Sequence, residues 1–206
     1  MLVFLVVIIV LGFFMAPAMP DRVPTHWNIR GEVDGWGSKY INLFLMPGIA
    51  LFVYLLMSFL PAIDPLKKNY AHFAKPYLYF KILLTFFFLY LYFFLLYSSV
   101  KFTPPKGSLM FAIPFSLLFC FIGWLLPQIK RNFFIGIRTP WTLVSDENWK
   151  KTHIFGGKVF IVAGVLSLIA AFFGSVVSFT VLIASVLAST FATVVYSYLI
   201  FRKEKK

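Results

Sequence analysis

Apolar residues run along the chain in six long stretches, near 1–16, 40–60, 77–98, 108–127, 157–174 and 176–200, parted by short polar or Pro/Gly-rich breaks. The last two form one apolar stretch from Gly157 to Phe201, too long for a single crossing, and Gly174-Ser175 is the place to divide it. Each stretch approaches the ~20 residues a helix needs to cross a bilayer. Backbone groups in lipid must pair within their own segment, so each stretch is read as a helix. A β-barrel is disfavoured, because the runs lack the alternation of a barrel strand. The expected fold is an all-α integral membrane protein with six transmembrane helices in two three-helix halves. Ala16-Pro17-Ala18 faintly resembles a signal-peptide cleavage site, but no Lys or Arg precedes the first run and Pro17 suits such a site badly.

Composition narrows the class further. The 206 residues are 61% hydrophobic and 13% charged, with a mean hydropathy of +0.88, which excludes a water-soluble domain. The single Cys120 allows no internal disulfide. The net charge of +12 is distributed unevenly. With six crossings, one side holds Arg22, Arg30, Lys39, Lys101 and Lys106, and the other holds the remaining fourteen of the 19 basic residues. The positive-inside bias then makes both termini and the 61–76 and 128–156 loops cytoplasmic, in a multi-pass protein of the cell membrane. Anionic lipid facing that side accounts for the basic excess, and nucleic acid is not needed as a partner.

No Asp, Glu or His lies in an expected span, and Lys81 sits close enough to a helix end to snorkel. Ion-coupled transport and intramembrane hydrolysis usually need an acid, a His or a metal at depth, so the chain is read as non-enzymatic. Ala170 and Gly174, then Ala184, Ala188 and Ala192 with Ser185 and Ser189, make small-residue stripes expected to pack the fifth span on the sixth, or alternatively two copies together. The rings of the third span, Phe86 to Tyr97, are read as packing and lipid-facing bulk.

The polar residues gather in two loops. The outer one, 20–39, should fold tightly around its glycines, with Asp34-Gly35 as the expected turn and Trp27 and Trp36 at the membrane interface. Its acids Asp21, Glu32 and Asp34 balance Arg22, Arg30 and Lys39. His26 has no second His nearby, so it is read as hydrogen-bonded, not as a metal ligand. In the inner loop, 136–157, Thr139-Pro140 sets a turn and Ser145 caps a helix with Asp146 and Glu147 in its first turn. Asp146/Lys150 and Glu147/Lys151 stand at i,i+4, and Trp149 and His153 share a face, as in an amphipathic helix lying on the inner surface. Arg138 suits a phosphate or carboxylate, or a salt bridge to Asp146, Glu147 or a lipid headgroup.

Pro24-Thr25-His26-Trp27-Asn28, Gly31, Asp34-Gly35-Trp36-Gly37 and Lys39 resemble the signature of a small membrane domain of unknown function. Gly136-Ile137-Arg138-Thr139-Pro140-Trp141-Thr142-Leu143, Ser145, Asn148-Trp149, Lys151-Thr152-His153 and Gly156-Gly157 resemble the SdpI family, immunity proteins against the sporulation-delaying toxin, whose module that domain often precedes. The resemblance implies protection against a secreted membrane-active peptide met on the outer side, and relay to a small cytoplasmic repressor. It divides the chain into an N-terminal half, 1–98, carrying the 20–39 motif, and an SdpI-like half, 99–206, carrying the 136–157 motif. The candidate contact residues are His26, Trp27, Asn28, Asp34, Trp36 and Lys39 outside, and Arg138, Thr139, Pro140, Trp141, Asp146, Trp149 and His153 inside. No cofactor or metal is expected.

The halves carry one parallel of their own: Thr25-x-Trp27-x-Ile29-x-Gly31-Glu32 against Thr139-x-Trp141-x-Leu143-x-Ser145-Asp146. Such a trace is expected of an inverted repeat and favours a small-molecule or lipid transporter or flippase as the alternative function. A membrane-interface enzyme using Arg138, Asp146 and His153 ranks third. A water-open cavity lined by Arg138, Trp141, Asp146 and His153 would separate these readings.

Overall fold

A computed structural model describes residues 1–101 and 107–204. Lys106, Lys205 and Lys206, and the Lys101 side chain, lie outside the described residues. In chain order the elements are α1 (Leu2–Met15), β1 (Arg22–Trp27), β2 (Val33–Ser38), α2 (Lys39–Ile63), α3 (Ala74–Lys101), α4 (Gly107–Leu125), α5 (Pro140–Val144), α6 (Asp146–Ala170) and α7 (Ser175–Glu204). Short 3₁₀ turns occupy Ala16–Ala18, Lys67–His72, Leu126–Gln128 and Ala171–Phe173. Among the described residues five helices are long and apolar enough to cross a membrane, and Leu2–Ala18 is a shorter apolar helix. The chain is an all-α, multi-pass membrane protein with one small β-hairpin.

Two groups of helices form the bundle. Leu5 and Ile8 of α1, Ala50 of α2, and Leu89 and Tyr92 of α3 share one buried cluster. In the second group α4 crosses α6 at glycines. A Cβ on Gly123 would lie 2.6 Å from the Gly157 carbonyl oxygen, and one on Gly157 equally close to that of Gly123. One on Gly164 would lie 2.7 Å from the Ser116 carbonyl oxygen. Close backbone approach of this kind is how helices gain dispersion contact where lipid removes any hydrophobic drive.

Two of the prolines inside the spans leave a specific debt that α3 settles. Pro61 in α2 has no N–H for the Met57 carbonyl, and Pro114 in α4 has none for that of Met110. The Tyr77 hydroxyl donates to the Met57 oxygen, and the Tyr90 hydroxyl to the Met110 oxygen at 2.6 Å. Two tyrosines of one helix thus replace backbone hydrogen bonds missing from its two neighbours, as lipid requires.

Three features depart from the sequence expectations. The alanine stripe of the last span does not pack inward: Ala184 and Ala188 are exposed, and the buried stripe of α7 is Ser178, Ser189, Thr193 and Ser197. Thr193 and Ser197 donate to their own helix at Thr190 (2.9 Å) and Val194 (2.7 Å), so these small side chains carry a satisfied hydroxyl inward while the alanines face outward. No separate surface helix precedes the fifth span. Its residues are the first turns of α6, which runs unbroken from Asp146, and the short independent helix is α5. The Thr25 and Thr139 segments also differ in form, one a strand and the other a helix cap. The division at Gly174-Ser175 falls where expected, with Gly174 at φ +98° between the last 3₁₀ turn and α7.

Removing either tyrosine hydroxyl leaves a buried carbonyl bare, so Tyr77→Phe and Tyr90→Phe should each cost about 1–3 kcal/mol in unfolding from detergent micelles. Restoring the helix hydrogen bond by Pro61→Ala should recover most of the Tyr77→Phe loss. If Tyr77→Phe unfolds like the parent, the phenol is not the donor that matters.

Candidate functional site

The two polar segments fold at opposite ends of the bundle, because α2 starts at the hairpin and ends at Asp64, which bonds to the 129–139 segment.

At the first end, β1 and β2 pair antiparallel from Arg22↔Ser38 to Trp27↔Val33, with a bulge around His26. The turn is not Asp34-Gly35, which lie within β2, but residues 28–32. Asn28 builds it: its side-chain oxygen accepts from Arg30 N (2.9 Å) and Glu32 N (3.0 Å), and its amide donates to the Glu32 carboxylate (2.8 Å). Gly31 supplies φ +81°. Asn28 and Arg30 together hold the Glu32 carboxyl below the usual range. Gly35 is needed for closeness instead, since a Cβ there would sit 2.7 Å from that of His26. His26 pairs with Asp34 at 2.6 Å, in line with a hydrogen-bonded role.

The hairpin is fastened to the bundle. Val23 is fully buried beside Ala16, Met19 and Leu43. Lys39, its side chain nearly buried, reaches Asp21 (3.0 Å) and the Met19 carbonyl (3.3 Å). Asn42 donates to the Pro24 carbonyl (2.9 Å) and to Ser99 of α3 (2.8 Å). Trp27 is half-buried, and its ring packs on Phe94 of α3 (5.3 Å) and Phe111 of α4 (6.3 Å). Trp36 remains 46% exposed, so the two tryptophans have different duties.

The far end is a hydrogen-bonded knot. Asp64, 2% exposed, accepts from Leu66 N (2.7 Å), Tyr70 Oη (3.0 Å) and Phe133 N (2.9 Å). Burial, then the carboxylate beside it, raises the Tyr70 phenol above its ordinary pKa. Asn132 folds its loop with four bonds, to Lys130 O, Ile135 O, Phe134 N and Ile135 N. Thr139 caps α5 in a capping box with Thr142, Pro140 takes the first helical position, and Thr139 also donates to Ser197 of α7 (3.1 Å). Asn148 donates to the Ser197 carbonyl (2.9 Å), and Ser145 caps α6 as expected. Trp149 donates to the Ile129 carbonyl (2.8 Å) and stacks on His153 at 4.1 Å. His153 accepts from Ile137 N at Nε2 (3.0 Å), so Nδ1 carries the proton and donates to the Trp149 carbonyl (2.8 Å). Gly136, at φ +113°, leaves room for this ring.

The four residues whose shared cavity would separate the readings do not line one. His153 is 1% exposed, Trp141 packs on Tyr198 (5.1 Å) and Phe201 (6.3 Å) of α7, and Asp146 faces Arg131. Asp146 pairs with Arg131 Nε at 2.7 Å, not with Lys150, and Arg131 also bonds to the Leu143 carbonyl (2.7 Å). Glu147 pairs with Lys151 as expected. Arg138 donates to the Phe133 carbonyl (2.6 Å), not to Asp146 or Glu147, and is exposed. Asp64, Asn132, Asn42 and Arg131 were missed; Asp64 announces itself as the one acid of the 61–76 loop, before a proline. Among the described residues no group of three or more His, Cys, Asp or Glu is placed to hold a metal ion.

Truncating Asp64 to Ala should strip acceptors from three donors and cost about 1–3 kcal/mol or more. Limited proteolysis in micelles should then cut the 129–139 segment faster, whereas the 28–32 turn should be cut at the parent rate. Equal rates at both would refute the linkage.

Known families match both motif regions. The SdpI/YfhL protein family matches residues 128–197, and the domain of unknown function DUF1648 matches residues 3–51. The immunity protein SdpI of Bacillus subtilis (strain 168) is 24% identical over 185 residues, covering 90% of this chain and 86% of that protein. No solved structure matches the chain. Residues 3–51, which include the hairpin and its attachment to α2, are thus similar to DUF1648, and residues 128–197, which hold the knot apart from Asp64 and Tyr70, are similar to the SdpI/YfhL family.

Proposed function

We propose that this protein is a non-enzymatic membrane immunity protein that protects its cell against a secreted, membrane-active peptide. In this reading the hairpin faces outward and meets the peptide, and both termini and the knot are cytoplasmic. The observation that carries the reading is the hairpin itself. It is folded and clamped to three helices, yet presents Trp36 and the His26–Asp34 pair to the surroundings. Its charges are largely matched within it, so long-range steering is weak beyond about 8–10 Å at physiological salt. Recognition therefore works by shape and an aromatic ring at headgroup level, where an apolar peptide partitions. The similarity to an immunity protein supports the same reading.

Relay to a cytoplasmic repressor belongs to this proposal. The knot offers the route, since Asp64, Thr139, Asn148 and His153 couple the end of α2, the 129–139 segment, α6 and α7. The exposed Asp146 is the group a partner can read directly; His153 acts by holding the fold.

Toxin challenge of cells expressing each variant at matched membrane levels tests the hairpin. Trp36→Ala should lower protection by removing a contact, and Trp27→Ala by freeing the hairpin from α3 and α4. Gly35→Val should do likewise through its clash with His26, while Arg22→Gln should change little. Full protection by the Trp27→Ala, Trp36→Ala double variant would move the contact site into the helices.

Orientation has its own check. In a Cys120→Ser background, a membrane-impermeant maleimide should label Ile29→Cys in intact cells and Lys68→Cys only after permeabilisation. The reverse pattern would overturn the topology.

A further inference from the structure

A cleft of about 180 Å³ opens on the side of the bundle near the knot. Its walls are Phe80 of α3, Ile122 of α4 and Phe160 of α6, and its floor includes Leu126, Ile129 and Ile137. The lining is almost wholly apolar, so a small polar solute would lose its water there without compensation. The neighbouring rings fix its depth. Tyr79 and Trp124, both more than two-fifths exposed, stack at 6.3 Å beside the Phe80 and Ile122 walls, as amphipathic rings do at the headgroup level.

Cations flank the lining along the chain. Ile129 and Ile137 of the lining are followed directly by Lys130 and Arg138, both exposed. Arg138 spends one donor on the Phe133 carbonyl and has others left. The acids of this end are already engaged: Asp64 within the knot, Asp146 by Arg131, Glu147 by Lys151 and Glu204 by Ser145. An apolar slot at interface depth, beside two cations without a carboxylate, matches an acyl chain joined to an anionic headgroup.

We propose that this cleft is a binding site for an anionic phospholipid of the surrounding leaflet, with one acyl chain between Phe80, Ile122 and Phe160 and the headgroup phosphate on Lys130 and Arg138. Binding there ties α3 of one helix group to α4 and α6 of the other, through a lipid instead of a side chain. The site is independent of any toxin.

Native mass spectrometry of the full chain in detergent tests it, with phosphatidylglycerol and phosphatidylcholine of identical acyl chains as probes. Phosphatidylglycerol should bind roughly tenfold or more tightly, in keeping with two basic side chains at a membrane surface. Lys130→Gln with Arg138→Gln should bring the two lipids level, and Ile122→Trp, which fills the slot, should weaken both. Equal binding by the parent, or an undiminished preference in the double Gln variant, would overturn the proposal. A measurement on the unsubstituted chain guards against misfolded variants. Phosphatidylglycerol brominated along its chains should quench tryptophan fluorescence more than brominated phosphatidylcholine at equal mole fraction, and equal quenching would count against the site. Cross-linking from Ile122 to a synthetic apolar peptide in place of phosphatidylglycerol would assign the cleft to a peptide and sink the lipid reading.

Discussion

A carbonyl left bare by proline finds no water in hydrocarbon, and the packing of this bundle answers that constraint. Pro61 and Pro114 free the Met57 and Met110 carbonyls, and each is met by a phenol from α3. The two contacts fix more than hydrogen-bond satisfaction. A phenol reaches a neighbouring backbone only from a particular rotation of its helix, so Tyr77 and Tyr90 set how α3 turns toward α2 on one side and α4 on the other. With α3 so placed, Phe94 stands under Trp27 and Phe80 stands beside Ile122. The seat of the hairpin and the wall of the cleft both follow from it.

Charge is organised by the same economy at the two ends. Each of the seven acids has a partner: three in or beside the hairpin, one inside the knot and three around the start of α6. The basic residues outnumber them by twelve, and the surplus collects at the knot end. One face of the molecule is thus nearly neutral and shaped, the other cationic and cross-braced. These are different kinds of surface, suited to different kinds of partner.

The sequence disclosed the helices well because membrane spans are written in bulk hydropathy, and it disclosed the break at Gly174 and the Ser145 cap because those are local. It disclosed side-facing poorly. A stripe of Ala184 and Ala188 and a stripe of Ser189 and Thr193 are equally small, and only the inward need of a hydroxyl separates them. The hairpin was hidden by Asp34-Gly35, a strong turn pair by composition; Asn28, with five hydrogen bonds to later residues of the turn, wins the turn instead. His153 and Asp64 were misjudged or missed because their partners lie sixteen and sixty-nine residues away, beyond any local pattern.

The turn joining α6 to α7 is four residues long, Ala171 to Gly174, and none of them is charged. The segment joining α1 to α2 instead holds a strand pair and carries three acids and two bases. Their assembly during synthesis must therefore differ. The α6–α7 pair can enter the bilayer as a closed helical hairpin, carrying almost nothing polar through the hydrocarbon. In the proposed orientation the α1–α2 pair moves a charged segment across before its strands can pair, so it depends on a translocation channel in a way the last two helices do not.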